Sequence, residues 1–265
     1  MPLSLPYFPY SYHHTFNSFY ISEKETSDIL KSNGSGNIIE FLSATVVHQT
    51  DDNKIQYLTK KSLPKRKILL LSATANESLY KLYFGNDRIK THNITNAKYT
   101  GKLIQYPNGS FSRSFFEKNP QSIANIENML GDISVITFKS LKKEFEFSTD
   151  MNFGNTEGKN ELEGVNLGVV GTPHLHPSVY KMYATAFDCN ANGHEMKLLE
   201  VKHNNYKFWF YAFEDKLLQM LQFWLIESEL IQSVGRARLL RFDCTVHLLS
   251  NFPLPQAQFD YRKFC

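Results

Sequence analysis

Cysteine is scarce in this chain: three in 265 residues, Cys189, Cys244 and Cys265. They are too few and too far apart for a disulfide framework, which points to a reducing, cytoplasmic setting. An excess of either charge is scarce as well. Lys and Arg number 29 against 26 Asp and Glu, a net charge of only +3. That excludes a strongly basic, histone-like binder and leaves room for a local basic patch. No run approaches the roughly 18 to 20 consecutive apolar residues of a membrane span. The opening MPLSLPYFPY has neither the charged region nor the apolar stretch of a secretory leader. No membrane is expected among the partners. Two chemical signatures are missing too. No G-x-x-x-x-G-K-[ST] loop occurs, so nothing of that kind cradles nucleotide phosphates. No Asp-Glu pair stands at a strand end to hold magnesium and orient a water.

Hydrophobic residues make up 42% of the chain and charged ones 21%, a balance that supports a packed core. The first 40 residues, rich in Tyr, Phe, Ser, His and Pro, show no sustained helical or strand period. From Lys65 the pattern sharpens. Lys67 to Leu71 is a continuous apolar run after a Lys-Arg-Lys cluster and reads as a buried parallel strand. Ile133 to Phe138, Leu167 to Val170 and Cys244 to Leu249 read as further strands, with a polar, glycine-bearing stretch from Ser148 to Gly164. An amphipathic helix is expected from Asp215, where Leu217, Leu218, Leu221, Trp224 and Leu225 recur at three and four. Strands alternating with helices imply an α/β fold with a mostly parallel sheet flanked by helices.

The segment richest in chemistry is Gln232-Ser233-Val234-Gly235-Arg236-Ala237-Arg238, at the end of that helix. Arginine offers a rigid fork of donors matched to phosphate oxygens and stays charged at any working pH, and glycine beside it lets backbone approach a ligand. The bland alternative is a basic helix end on a solvated face. Gln232, Gly235 and Arg236 resemble the sixth motif, Q-x-x-G-R-x-x-R, of superfamily 2 helicases, whose last arginine falls here on Leu239 while Arg238 sits one place early. Leu71-Ser72-Ala73-Thr74 resembles the third motif, and Val135 to Lys139 the fourth. Gly171-Thr172-Pro173-His174 resembles the fifth, and Ser112-Arg113-Ser114 is similar to a segment of helicases from bacterial mobile elements. An earlier copy of the third-motif letters, Leu42 to Thr45, is read as a decoy within a helix end or short strand over Phe41 to Val47.

The resemblance covers about residues 66 to 255 and implies a RecA-like C-terminal domain over 91–265, preceded over 1–90 by an incomplete remnant of a first RecA-like domain. It implies roles as well. Arg236, helped by Arg238 and Gln232, would reach ATP with Gly235 close by, Arg236 being favoured as the finger. Thr172, Gly171, Lys139, His174 and Arg113 would contact nucleic acid, single-stranded or duplex and DNA in preference. Ser72 and Thr74 would couple the two events. ATP and Mg2+ would be engaged only together with a separate first RecA-like domain, the missing N-terminal half of the helicase, and the chain alone would be inactive as an ATPase. The alternatives are a non-catalytic, nucleic-acid-binding relic or an α/β interaction module. Cys189 with His174, His176 and His194 matches no zinc spacing, so no metal site is expected. Tyr206, Phe208, Trp209 and Phe210 are read as packing residues rather than as base-stacking ones.

Overall fold

The structure is a computed structural model that describes residues 44, 46–49, 55–59, 63–94, 97–156, 158, 160–187, 189, 191 and 193–264. The chain divides into two compact units, and the larger, His48–Gln56 with Leu63–Cys265, carries nearly all of them. In chain order the elements are β1 (Val46–Gln49), β2 (Ile55–Leu58), α1 (Glu77–Phe84), β3 (Lys102–Tyr106), α2 (Arg113–Lys118), α3 (Gln121–Leu130), β4 (Ser134–Thr137), β5 (Ser148–Asn152), β6 (Leu167–Val170), α4 (Pro177–Ala186), β7 (Met196–His203), β8 (Tyr206–Phe213), α5 (Lys216–Val234), β9 (Thr245–Leu249) and β10 (Gln258–Phe259). β1 lies where the decoy letters end; the rest of that copy, apart from Ala44, falls outside the described residues.

Six strands form one sheet in the order β10-β3-β9-β6-β4-β5, and every pairing in it is parallel. A parallel sheet needs cover on both faces, and alternation along the strands supplies two cores. Leu103, Ile136, Val169, Val246 and Leu248 face Phe223, Ile226, Leu230 and Val234 of α5. Tyr106, Val135, Val170 and Leu249 face Phe116 of α2 and Ile126 and Leu130 of α3. Asp215 starts α5, its carboxylate accepting from the amides of Leu217 and Leu218 at 3.0 and 2.9 Å, which satisfies two of the orphan donors of the first turn. The expected α/β architecture is present.

The expected strand at Lys67–Leu71 is absent. That segment lies outside any strand, with Leu69 83% and Leu71 89% exposed. A continuous apolar run becomes a buried strand only where neighbours cover both faces. Here β10 and β5 occupy the two ends of the sheet, and nothing among the described residues pairs with the run. Just beyond it, the Trp224 indole donates to the carbonyl of Thr74 at 2.7 Å, and Leu79 of α1 is buried with Tyr180 and Phe213.

Between α4 and α5 stands an antiparallel hairpin, β7 paired with β8. Its turn residues Asn204 and Asn205 both have positive φ, 46° and 67°, as a two-residue primed turn requires. The buried amide of Gln222 on α5 holds the hairpin, donating to the Tyr211 carbonyl at 2.9 Å and accepting from the Phe213 amide at 3.3 Å. Among the described residues no helix is long and apolar enough to cross a membrane.

Candidate nucleic-acid interface and arginine segment

Parallel strands send all their outgoing loops to one edge, and β4, β6 and β9, side by side, deliver Phe138-Lys139, Gly171 to His174 and Ser250-Asn251 there. The connection out of β4 leads outward to β5, and that out of β6 leads the other way, toward β9. Such a reversal is where open α/β sheets hold their ligands. Gly171 can only be glycine: its φ is +137°, and a Cβ there would stand 2.6 Å from the Phe138 ring and 2.8 Å from that of Phe153. Thr172 is buried, and its hydroxyl is engaged with Ser250 Oγ at 2.8 Å and Asn251 Oδ1 at 3.1 Å. Its amide donates to the Phe111 carbonyl, as that of Gly171 does to Leu249. Thr172 therefore ties the ends of β6 and β9 to the loop after β3, and in this structure its donors face inward.

The outward-facing cations are Arg113 and Lys139, both exposed. Ser112 caps α2, accepting from the Phe115 amide at 3.2 Å, which places Arg113 at the first helical position. From there its guanidinium lies 4.8 Å over the centre of the Phe138 ring, a cation–π contact that fixes the charge at the end of β4. Neither cation has an acidic partner among the described residues. His174 stacks on Phe210, centroids 4.8 Å apart at 24°, and its Nδ1 is buried without a hydrogen-bond partner among the described residues. Burial, reinforced by the Arg113 charge, pushes its pKa down to about 4, so at neutral pH the ring is uncharged. The structure thus brings Arg113, Lys139, Gly171, Thr172 and His174 to one edge.

The arginine segment lies at the other edge. Helix α5 runs back against the parallel strands, so its end meets their beginnings: Thr100 and Gly101 donate to the Leu239 carbonyl and Gly164 to that of Ala237. Arg236 Nε donates to the Gln232 carbonyl at 3.2 Å. Arg238 adopts left-handed backbone, φ 55°. Its guanidinium is clasped by Glu163 Oε1 at 3.1 Å and Asn160 Oδ1 at 2.9 Å, both from the polar stretch after β5. Leu239, where the helicase motif carries its last arginine, is 2% exposed in the core beneath α5. The Leu239 side chain crowds Gly101, where a Cβ would lie 2.8 Å from it.

Of the remaining sequence candidates, Ser72 forms a local turn, its hydroxyl accepting from the Thr74 amide at 3.1 Å. His176 caps α4, its ring nitrogen 2.7 Å from Ser178 Oγ. The aromatic group expected to pack divides: Phe208 and Phe210 pack inward, whereas Trp209 is 63% and Tyr206 40% exposed. The unbroken aromatic run Phe208 to Tyr211 gives no sequence signal for that division, which follows from the pairing of β8 with β7. No protein-family model, no curated protein and no solved structure matches the chain.

Proposed function

We propose that this chain is the second RecA-like domain of an ATP-dependent nucleic-acid helicase. It grips the nucleic-acid backbone at the carboxyl edge of its sheet and offers Arg236 to ATP phosphates held by a first RecA-like domain. The observation that carries the reading is the pair of uncompensated cations, Arg113 and Lys139, at the reversal point between β4 and β6. Contacts of this kind to phosphates position a strand without reading its sequence. Thr172 and Gly171 serve as positioning residues that fix the loop. Arg238 is held within the chain by Glu163 and Asn160, and the match of Gln232, Gly235 and Arg236 to the sixth motif favours Arg236 as the finger. The residues present fit the part of an ATP site that reaches phosphates from outside. The phosphate cradle and the magnesium-holding pair are not in this sequence, so no hydrolytic step belongs to these residues alone.

The test is fluorescence anisotropy of a labelled single-stranded DNA 20-mer with the purified chain. Weak, sequence-indifferent binding that falls steeply between roughly 50 and 200 mM salt is expected, with no ATP hydrolysis by the chain alone. Absence of binding at the lower salt contradicts the reading, as does ATP turnover that Arg236→Ala abolishes.

A further inference from the structure

The β7–β8 hairpin pairs along its whole length, from Met196↔Phe213 to His203↔Tyr206, so residues opposite one another share a face. Towards its turn the two faces differ sharply. On one, Val201, Phe208 and Phe210 join the core, with Phe208 and Phe210 edge-to-face against Phe252. On the other, Trp209 is 63%, Leu198 63% and Tyr211 54% exposed. Trp209 and Tyr211 are two residues apart on one strand, hence about 7 Å apart along it, so each offers a flat surface of its own. Nearer the turn, Lys202 stands directly opposite Lys207. Like charges in that position repel, Glu200 lies opposite Trp209 rather than between them, and neither lysine has an acidic partner among the described residues. Two uncovered rings beside an uncompensated lysine pair suit a ligand that is flat, apolar and anionic at once.

We propose that this outer face is a second nucleic-acid contact, a stacking platform for the bases of a single strand. Trp209 and Tyr211 lie under bases, and Lys202 and Lys207 lie along the phosphates. Continuity with the carboxyl-edge interface favours nucleic acid over a protein occupant. Phe210, between the two exposed rings and pointing the opposite way, is the residue on which His174 stacks. The platform is therefore the reverse side of the ribbon that backs the Gly171–His174 loop. The hairpin is a sheet of two strands only, so a strand leaving the loop passes one unpaired edge to reach it. The inference rests on the nucleic-acid reading of the carboxyl edge.

The experiment compares binding of labelled oligo-dT, and of an abasic oligomer of equal length, by the native chain and three double variants. These are Trp209→Ala with Tyr211→Ala, Lys202→Ala with Lys207→Ala, and Arg113→Ala with Lys139→Ala; all six side chains are exposed, and thermal melts confirm that each variant folds. Loss of the rings should weaken oligo-dT binding at least about tenfold with an unchanged salt slope, and leave abasic binding as it was. Loss of the hairpin lysines should lower the salt slope by about 1.4, two phosphates on a single strand. Native affinity in the ring variant, with weakened binding in the Arg113 and Lys139 variant, overturns the platform and leaves the carboxyl edge standing. No binding by the native chain removes both. A fall in particle mass by light scattering in the ring variant alone makes the face a protein interface and also overturns the proposal.

Discussion

The two edges of the sheet carry similar charges in opposite states. At the carboxyl edge Arg113 and Lys139 are exposed, with no acidic partner among the described residues and with a ring, rather than a carboxylate, beneath the guanidinium. At the amino edge Arg238 is clasped by Glu163 and Asn160, and the next position, Leu239, is core. A cation already neutralised inside its own chain gains little from a second anion, whereas an uncompensated one gains the whole interaction. The proposed division gives nucleic-acid contact to the first edge and leaves Arg238 and Leu239 to a structural turn at the second.

The sharpest way to break that contrast is to place an arginine where the helicase motif has its last one. Leu239→Arg buries an unpaired charge in the α5 core, and a loss of more than about 4 kcal/mol, or outright failure to fold, is expected in chemical denaturation. Leu240→Arg, at an exposed neighbouring position, should stay within about 0.5 kcal/mol of the native chain. Equal tolerance of both would mean that Leu239 is not a core residue.

The next largest effect is pH-dependent and belongs to the carboxyl edge. Burial holds the His174 pKa at about 4 against an ordinary 6.5, so between those values the unfolded chain binds more protons than the folded one. Stability is therefore full above about pH 6.5 and drains as pH falls toward 4, by at most about 3 kcal/mol. His174→Phe should flatten that part of the stability–pH curve. A curve unaltered by the substitution would place the dependence elsewhere.

Smaller effects sharpen the division of labour. Thr172→Val removes the hydroxyl shared with Ser250 and Asn251 and should cost about 1–2 kcal/mol, lowering the melting temperature while the salt slope of binding stays native. Arg238→Ala should cost about 1 kcal/mol or less, since its ion pair with Glu163 is about a third exposed, and should leave nucleic-acid affinity unchanged. Lost affinity without lost stability in either variant would reverse the assignments.

Much of the frame is legible in the residues. β4, β6 and β9 are apolar runs bounded by turn residues, and Asp215 announces α5, because buried parallel strands and capped amphipathic helices must be written that way. β5, with the sequence STDMN, is polar and reads as part of a loop, since an edge strand is covered less and carries a weaker pattern. Lys67–Leu71 misleads for the converse reason: apolar residues state a demand for cover, not that cover exists. The motif order supplies the candidate residues but not their grouping. Which edge each reaches follows from the return of α5 against the strands, a property of topology that no single segment carries. The hairpin is signalled by Asn204-Asn205, and only pairing register separates Trp209 and Tyr211 from Phe208 and Phe210.

The most direct measurement of the central claim is the salt dependence of single-stranded DNA binding by three proteins: the native chain, Arg113→Ala with Lys139→Ala, and Arg236→Ala. Removing two cations that each neutralise a phosphate of a single strand should lower the slope of log affinity against log salt by about 1.4 in the carboxyl-edge variant. The Arg236 variant, lying at the other edge, should keep the native slope. An unchanged slope in the first, or an equal drop in both, would contradict the assignment of nucleic-acid contact to the carboxyl edge.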